Sequence, residues 1–232
     1  FESKKLIAIA AYNNLISEKL KANNVKFLLY KGITLSLITK RSITERSCND
    51  IDILIEKKDL LKIINLLKEL GFKIEYGIFA DNNKSLIHKY YAYSNKYLIM
   101  SKKIKDINFN LKVDLHWEII TTCPGMLNFH KLWENKEILS INANNIYSLS
   151  PKYLFITLCF NAAKNKWNNL DKLLDISFLL SQLNSKDKYS LSDNNVIKKT
   201  YSIIYSITRD NELENYIFKN IKYKYIYTSF IK

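Results

Sequence analysis

Asn49-Asp50-Ile51-Asp52-Ile53-Leu54-Ile55 constrains this chain more than any other stretch. Its four apolar residues, mostly β-branched, carry two carboxylates two positions apart, which is the make-up of a buried strand. Side chains alternate along a strand, so Asp50 and Asp52 project from one face. Two carboxylates side by side repel each other and lose hydration unless positive charge lies between them. A divalent metal is the usual remedy, and all-oxygen ligation favours magnesium or manganese. A solvated strand end is the alternative, and one Asp-x-Asp does not separate the two.

The 232 residues suffice for one large domain or two small ones. A hydrophobic content of 47% with 13% aromatics excludes wholesale disorder. The formal charge of +14 suits a polyanionic partner such as RNA, or a nucleotide with its phosphates. The lysines are nevertheless spread along the whole length, so a dedicated nucleic-acid surface does not follow. Cys48, Cys123 and Cys159 are too few and too scattered for a disulfide framework or a zinc site, which points to a reducing cytoplasm. No apolar run reaches membrane-spanning length and no signal peptide is visible, so no membrane association is expected. Starting at Phe1, the sequence reads as a fragment or a trimmed chain.

Helical spacing runs from about Ser3 to Asn23 through Leu6, Ile9, Ala10, Tyr12, Leu15, Ile16 and Leu20. Val25 to Tyr30 reads as a short buried strand, Lys31-Gly32 as a turn, and Ile33 to about Thr39 as a helix. A polar loop with Arg41, Glu45 and Arg46 precedes the Asp strand. Glu56 to Leu70 is an amphipathic helix closed by Gly71, and Phe72 to Tyr76 restarts a strand. Leu86 to Ser94 and Tyr97 to Met100 alternate as antiparallel strands or a hairpin would. In Phe109 to Trp117, Val113, Leu115 and Trp117 share one face, with Lys112, Asp114 and His116 on the other. Thr121 to Ser150 is less regular, with a turn at Pro124-Gly125. From Ser150-Pro151 onward only helices are expected, at about 151–165, 169–182, 193–207 and 211–222, and residue 150 marks a domain boundary. Leu170, Leu173, Leu174, Ile176, Phe178 and Leu179 are among the residues expected to pack them. The fold class is therefore α+β, residues 1–149 forming a domain of strands and helices and 150–232 a helical one.

A metal site needs oxygen ligands from several directions, and Asp114 is the best third acid. If its strand neighbours the Asp50/Asp52 strand, the three carboxylates lie a few ångströms apart, since adjacent strands are about 4.8 Å apart. A solvent-facing strand position is the alternative for Asp114. The Tyr30-Lys31-Gly32 turn ends a buried strand and opens a helix, where backbone N–H groups and the Lys31 ammonium face an incoming phosphate. It is also an ordinary strand-to-helix turn. His116 reads as a proton shuttle, a partner of Glu118 or substrate, a residue orienting a neighbouring carboxylate, or strand-edge packing.

Leu28-Leu29-Tyr30-Lys31-Gly32, Arg46, Asp50-Ile51-Asp52-Ile53-Leu54, Gly71-Phe72 and Val113-Asp114-Leu115-His116-Trp117 occur in an order that resembles polymerase-β-type nucleotidyltransferases. Among these the chain most resembles the uncharacterised nucleotidyltransferase family. Leu149-Ser150-Pro151, Trp167, Leu170 and Asp175 continue the likeness, which spans roughly residues 25 to 180. The chain departs from many members of the superfamily in lacking Gly-Ser before the Asp strand. Lys31-Gly32-Ile33-Thr34 stands there, so Thr34, Ser36 or Lys31 itself takes over the phosphate contact. Asn161 and Asn165 stand in the helix where a His is common.

The resemblance implies transfer of a nucleoside monophosphate from an NTP, ATP being the expected one, to an acceptor hydroxyl with release of pyrophosphate. Asp50, Asp52 and Asp114 would hold Mg2+ or Mn2+, with Asp114 also as general base; Lys31, Gly32, Thr34 and Arg46 would hold the triphosphate. The acceptor is a small molecule, a protein or peptide, or an RNA end. Two other classes remain open. One is a non-catalytic module on the same fold, such as half of a toxin–antitoxin pair. The other is a plain RNA-binding protein using Tyr90, Tyr91, Tyr93 and Tyr97 among Lys89 and Lys96.

Overall fold

A computed structural model describes residues 2–39, 48–75, 97–120, 125–141, 144–210, 213 and 216–217. Arg41, Glu45 and Arg46 of the expected polar loop, the expected Leu86–Ser94 strand, most of the tyrosine patch, Cys123, Pro124 and most of the expected 211–222 helix lie outside the described residues. The chain divides into two compact units, Phe1–Tyr153 and Leu154–Lys232.

The first unit is built on a mixed sheet. Its strands are β1 (Phe27–Leu29), β2 (Asp50–Ile55), β3 (Lys73–Ile74), β4 (Tyr97–Ile104), β5 (Phe109–His116), β6 (Lys136–Ile141) and β7 (Asn144–Leu149). They lie in the order β3-β4-β5-β2-β1-β7-β6. β2 pairs antiparallel with β1 and parallel with β5, and β1 pairs parallel with β7. Parallel neighbours require crossovers and buried faces. β2 is accordingly buried at every position after Asp50.

One face of this sheet carries the core. Ile51, Ile53 and Ile55 of β2 and Leu111, Val113 and Leu115 of β5 join Leu6, Ile9, Ile16 and Leu20 of helix α1 (Glu2–Ala22). Ile63, Ile64 and Leu67 of α3 (Leu60–Glu69) complete that layer. The alternation expected of β5 holds, so Lys112, Asp114 and His116 share the opposite face, on which Asp50 and Asp52 also lie. α3 ends as the glycine predicts. Gly71 takes φ +85°, its N–H donates to the Lys68 carbonyl, and the Phe72 N–H donates to that of Leu67, closing a Schellman cap.

Two parts of the architecture differ from the sequence expectation. The irregular region before residue 150 contains helix α4 (Phe129–Glu134) and the antiparallel β6–β7 pair, which supplies one edge of the sheet. The helical unit runs through α5 (Pro151–Lys164), α6 (Leu170–Gln182), α7 (Ser185–Leu191) and α8 (Asn195–Thr208), so α7 is an element the apolar spacing did not signal. Within it, Trp167 donates its indole N–H to Thr200 Oγ1 at 3.0 Å, tying the α5–α6 connection to α8. No helix among the described residues is long and apolar enough to cross a membrane.

Candidate active site

The register of β2 and β5 assembles the acids. Asp52 pairs directly with Asp114, Asp50 with Lys112, and Leu54 with His116. Directly paired residues point to the same side of a sheet, so Asp50, Asp52, Asp114 and His116 share one face. Asp52, Asp114 and His116 each offer one donor atom within 4.8 Å of the other two. Asp50, one of the three acids expected in the cluster, is not in that group; it lies two residues before Asp52 on β2, opposite Lys112.

Asp52 is 5% exposed and its Oδ1 atom has two partners. Lys31 Nζ lies 2.6 Å away and His116 Nε2 3.0 Å away. Burial pushes the Asp52 carboxyl up, but the Lys31 ammonium and the His116 contact outweigh it and hold the group down at about 2. Asp114 responds in the opposite direction. Burial, then the Asp52 charge, then that of Asp50 push it up to about 7, against smaller opposing pulls from Lys31 and Lys112. Asp114 Oδ1 is buried without a hydrogen-bond partner. A half-buried carboxylate beside two others, with one oxygen unserved, is a position that cationic ligation would stabilise.

The Lys31-Gly32 turn approaches the Asp strand closely. Gly32 has φ +55°, and a Cβ there would stand 2.8 Å from Cys48 Sγ and 3.2 Å from the Asp50 carbonyl oxygen. Glycine is required on both counts. Helix α2 (Gly32–Ile38) follows, only seven residues long. Thr34 and Ser36 are each 1% exposed, in a helix buried at every position but Leu37. Lys31 contacts Asp52 across the sheet. Arg46 falls outside the described residues.

Two aromatic rings complete the surroundings. Tyr97, the direct partner of His116 across β4 and β5, stacks on the imidazole at 5.6 Å with an interplanar angle of 30°. Tyr30 meets the same imidazole edge-on at 5.6 Å and 78°. Burial, then Asp52, Asp114 and Asp50, raise the Tyr30 phenol well above its ordinary range, so Tyr30 stays a neutral wall. The contacts of Tyr30 and Tyr97 with His116 are not signalled by the sequence beyond the places of the two tyrosines, next to Lys31 and at the start of a strand.

The donor set suits a hard divalent cation. Two carboxylates from neighbouring strands supply charge, the unserved Asp114 oxygen supplies a ligand position, and the imidazole lies alongside. What such a face can do is hold a cation against anionic oxygens and accept a proton on a carboxylate whose affinity for protons is raised.

The family described as "Uncharacterised nucleotidyltransferase" matches residues 3–200. No curated protein sequence matches the chain. Among solved structures, an antigenic nucleotidyltransferase-like protein from Paracoccidioides brasiliensis is similar with a TM-score of 0.61 at 13% identity, covering 95% of this chain and 99% of that one. The antibiotic-resistance factor ANT(2'')-Ia, in solution, is similar with a TM-score of 0.52 at 9% identity, covering 93% and 98%. Its crystal structure with adenylyl-2''-tobramycin gives 0.53 at 10% identity, covering 86% and 98%. At such identities the likeness is one of fold.

Proposed function

The chain belongs to the uncharacterised nucleotidyltransferase family, and from that membership and its acid pair we propose a metal-dependent nucleotidyltransferase. It transfers a nucleoside monophosphate from an NTP, ATP by preference, to an acceptor hydroxyl and releases pyrophosphate. One observation carries the reading: Asp52 and Asp114 face each other in register on parallel strands, one held at about 2 and the other pushed up to about 7, with an Asp114 oxygen unserved. A purely structural acid pair would be expected to have every buried oxygen satisfied.

Asp52 and Asp114 would hold Mg2+ or Mn2+, with Asp50 at the outer end of the same face. When bound, the cation neutralises phosphate charge and withdraws electrons from the α-phosphorus. Lys31 supplies a second positive charge at the start of α2, and the glycine after it lets the backbone approach a phosphate. Arg46 is proposed as a further phosphate contact. Thr34, although buried, stands in the same turn of helix. Asp114 accepts the acceptor hydroxyl's proton on a carboxylate oxygen. The oxygen so freed forms a bond to the α-phosphorus as the bond to the β-phosphate bridge breaks, and pyrophosphate leaves with that electron pair. Asp52 stays ionised throughout, held by Lys31 and His116.

The acceptor class is the open part of the reading. The crystal structure of ANT(2'')-Ia holds adenylyl-2''-tobramycin, and on that ground small-molecule acceptors are tested first. The test is transfer of label from each of four α-32P NTPs, with Mg2+ or Mn2+, into the RNA, protein and small-molecule fractions of a cell extract. Label confined to one fraction, and lost in Asp52→Ala/Asp114→Ala, identifies nucleotide and acceptor class together. No label from any NTP, with no metal-dependent NTP binding by calorimetry, sinks the enzyme reading in favour of a binding module.

A further inference from the structure

Asp52 Oδ1 receives Lys31 Nζ and His116 Nε2, at 2.6 Å and 3.0 Å. We propose that His116 is a positioning residue: it holds the Asp52 carboxylate by Oδ1 and so presents the other oxygen, Oδ2, to a divalent metal. The proposal rests on the metal-dependent reading above.

A carboxylate has no proton to give, so at this contact the imidazole donates from Nε2–H and Oδ1 accepts. An imidazole nitrogen engaged in that way has no lone pair for a metal. Nε2 is therefore no metal ligand, and through that nitrogen His116 acts on a cation by way of Asp52, its ring lying within reach of the acid pair. The ring is held from both sides of its strand. Tyr97 stacks on it from β4, and Tyr30 contacts it edge-on from the end of β1. Tyr30 is 1% exposed and immediately precedes Lys31, so the two nitrogen atoms on Oδ1 are placed by one stretch of packing. Lys31 Nζ lies 4.9 Å from the centre of the Tyr30 ring. A carboxylate gripped by two donors on one oxygen loses its freedom to rotate, and its remaining oxygen is aimed before any ligand arrives.

Tyr97 enters through the same logic. It is 45% exposed and directly opposite His116 in the β4–β5 pair, so its contribution is to the orientation of the imidazole. Losing Tyr97 then matters only while His116 is present.

The test uses Mn2+ as the probe on the full chain, freed of metal by chelation, with affinity read by electron paramagnetic resonance and ligand identity by electron spin-echo modulation. Wild type is expected to bind Mn2+ with no modulation from a coordinated imidazole nitrogen. His116→Ala should weaken Mn2+ binding about 10- to 100-fold. His116→Gln, which offers an N–H near the Nε2 position, should recover part of that. Tyr97→Leu should give a smaller loss that disappears in the His116→Ala background. An imidazole nitrogen signal in wild type that vanishes in His116→Ala would make His116 a ligand and overturn the proposal. Equal Mn2+ affinity in wild type and both His116 variants would overturn it as well. Asp52→Asn separates this from failure of the underlying reading. If wild type binds no Mn2+, or Asp52→Asn binds it as wild type does, the metal reading itself has failed. Should His116→Ala not fold, His116→Gln and Tyr97→Leu carry the comparison.

Discussion

Asp52 and Asp114 are direct partners across a parallel strand pair, yet their carboxyl groups are driven to opposite ends of the acid range, about 2 and about 7. The difference arises from what stands beside each. Lys31 and His116 both reach Asp52, whereas Asp114 is half-buried with the Asp52 and Asp50 charges as its neighbours. One acid of the pair is compensated from within the protein and the other is left to be compensated from outside.

Stability without metal follows from this. The folded-state affinity of Asp114 for protons lies above its ordinary value of 3.8, so the folded protein binds more protons than the unfolded one between about pH 4 and 7. Asp114 therefore destabilises progressively as pH rises through that window, and fully above it. Asp52 has the reverse sign: its contribution is present above about pH 4 and is lost as pH falls towards 2. Asp114→Asn should raise the Tm by a few degrees at pH 8 in chelator, and by little at pH 5. The same variant should lose transfer activity. Thermal melts across pH 5 to 8 check this, and an Asp114→Asn melting curve parallel to wild type at every pH would refute it.

Lys31 supports Asp52 even with no substrate present. Asp52 is 5% exposed, and removing the ammonium leaves that carboxylate with His116 as its remaining partner on Oδ1. Loss of one side of a buried pair is expensive, so Lys31→Met should cost about 2–4 kcal/mol. Lys31→Met/Asp52→Asn should cost less than the sum of the two single changes. Urea unfolding of the four proteins measures the coupling. Additive losses would mean that the 2.6 Å contact contributes nothing.

Much of this site was legible because strand alternation is a strict rule. The period-two pattern around Asp50, Asp52 and Asp114 assigned faces correctly, and the Gly71 cap is a local signal that survives folding unchanged. The pairing of Lys31 with Asp52 spans 21 positions and the His116 contact 64, and no local pattern encodes such distances. The sequence therefore shows Lys31 as a phosphate-facing or ordinary turn residue, and not its contact with Asp52. The β6–β7 pair is faint in the sequence because Ile138 of its edge strand is 57% exposed and Asn142, Asn144 and Asn145 interrupt the hydrophobic alternation. Helix α7 is short and polar. Its start is set by Asn184, whose side chain accepts from the Asp187 N–H, and not by an apolar stripe.

Gly32 is the backbone counterpart of these contacts. Its φ of +55° costs an ordinary residue about 1–2 kcal/mol, and a Cβ would also crowd Cys48 Sγ at 2.8 Å. Gly32→Ala should therefore destabilise by more than the conformational term alone, and should depress activity by displacing the start of β2. Cys48→Ala removes the crowding sulfur while also removing the Cys48 Sγ contact to the Asp50 carbonyl. Added to Gly32→Ala, it should recover part of the lost stability, although alone it is destabilising. If Cys48→Ala is equally harmful in both backgrounds, the close approach does not limit this turn.

The helical unit offers a sharper test of burial against hydrophobicity. Leu170, Leu174 and Phe178 were expected to pack, yet they are 60%, 40% and 43% exposed, while Leu173, Ile176 and Leu179 of the same helix are buried. Apolar residues lie all around α6, and periodicity cannot choose a face when several stripes are equally greasy. Side chains that remain in water contribute little to folding. Ile176→Ala should cost about 2–4 kcal/mol, in keeping with removal of a fully buried side chain. Leu170→Ala should stay within about 0.5 kcal/mol of wild type. Denaturant melts of the two variants decide the matter. A large loss at Leu170 would mean that this side chain is covered in the folded protein in solution.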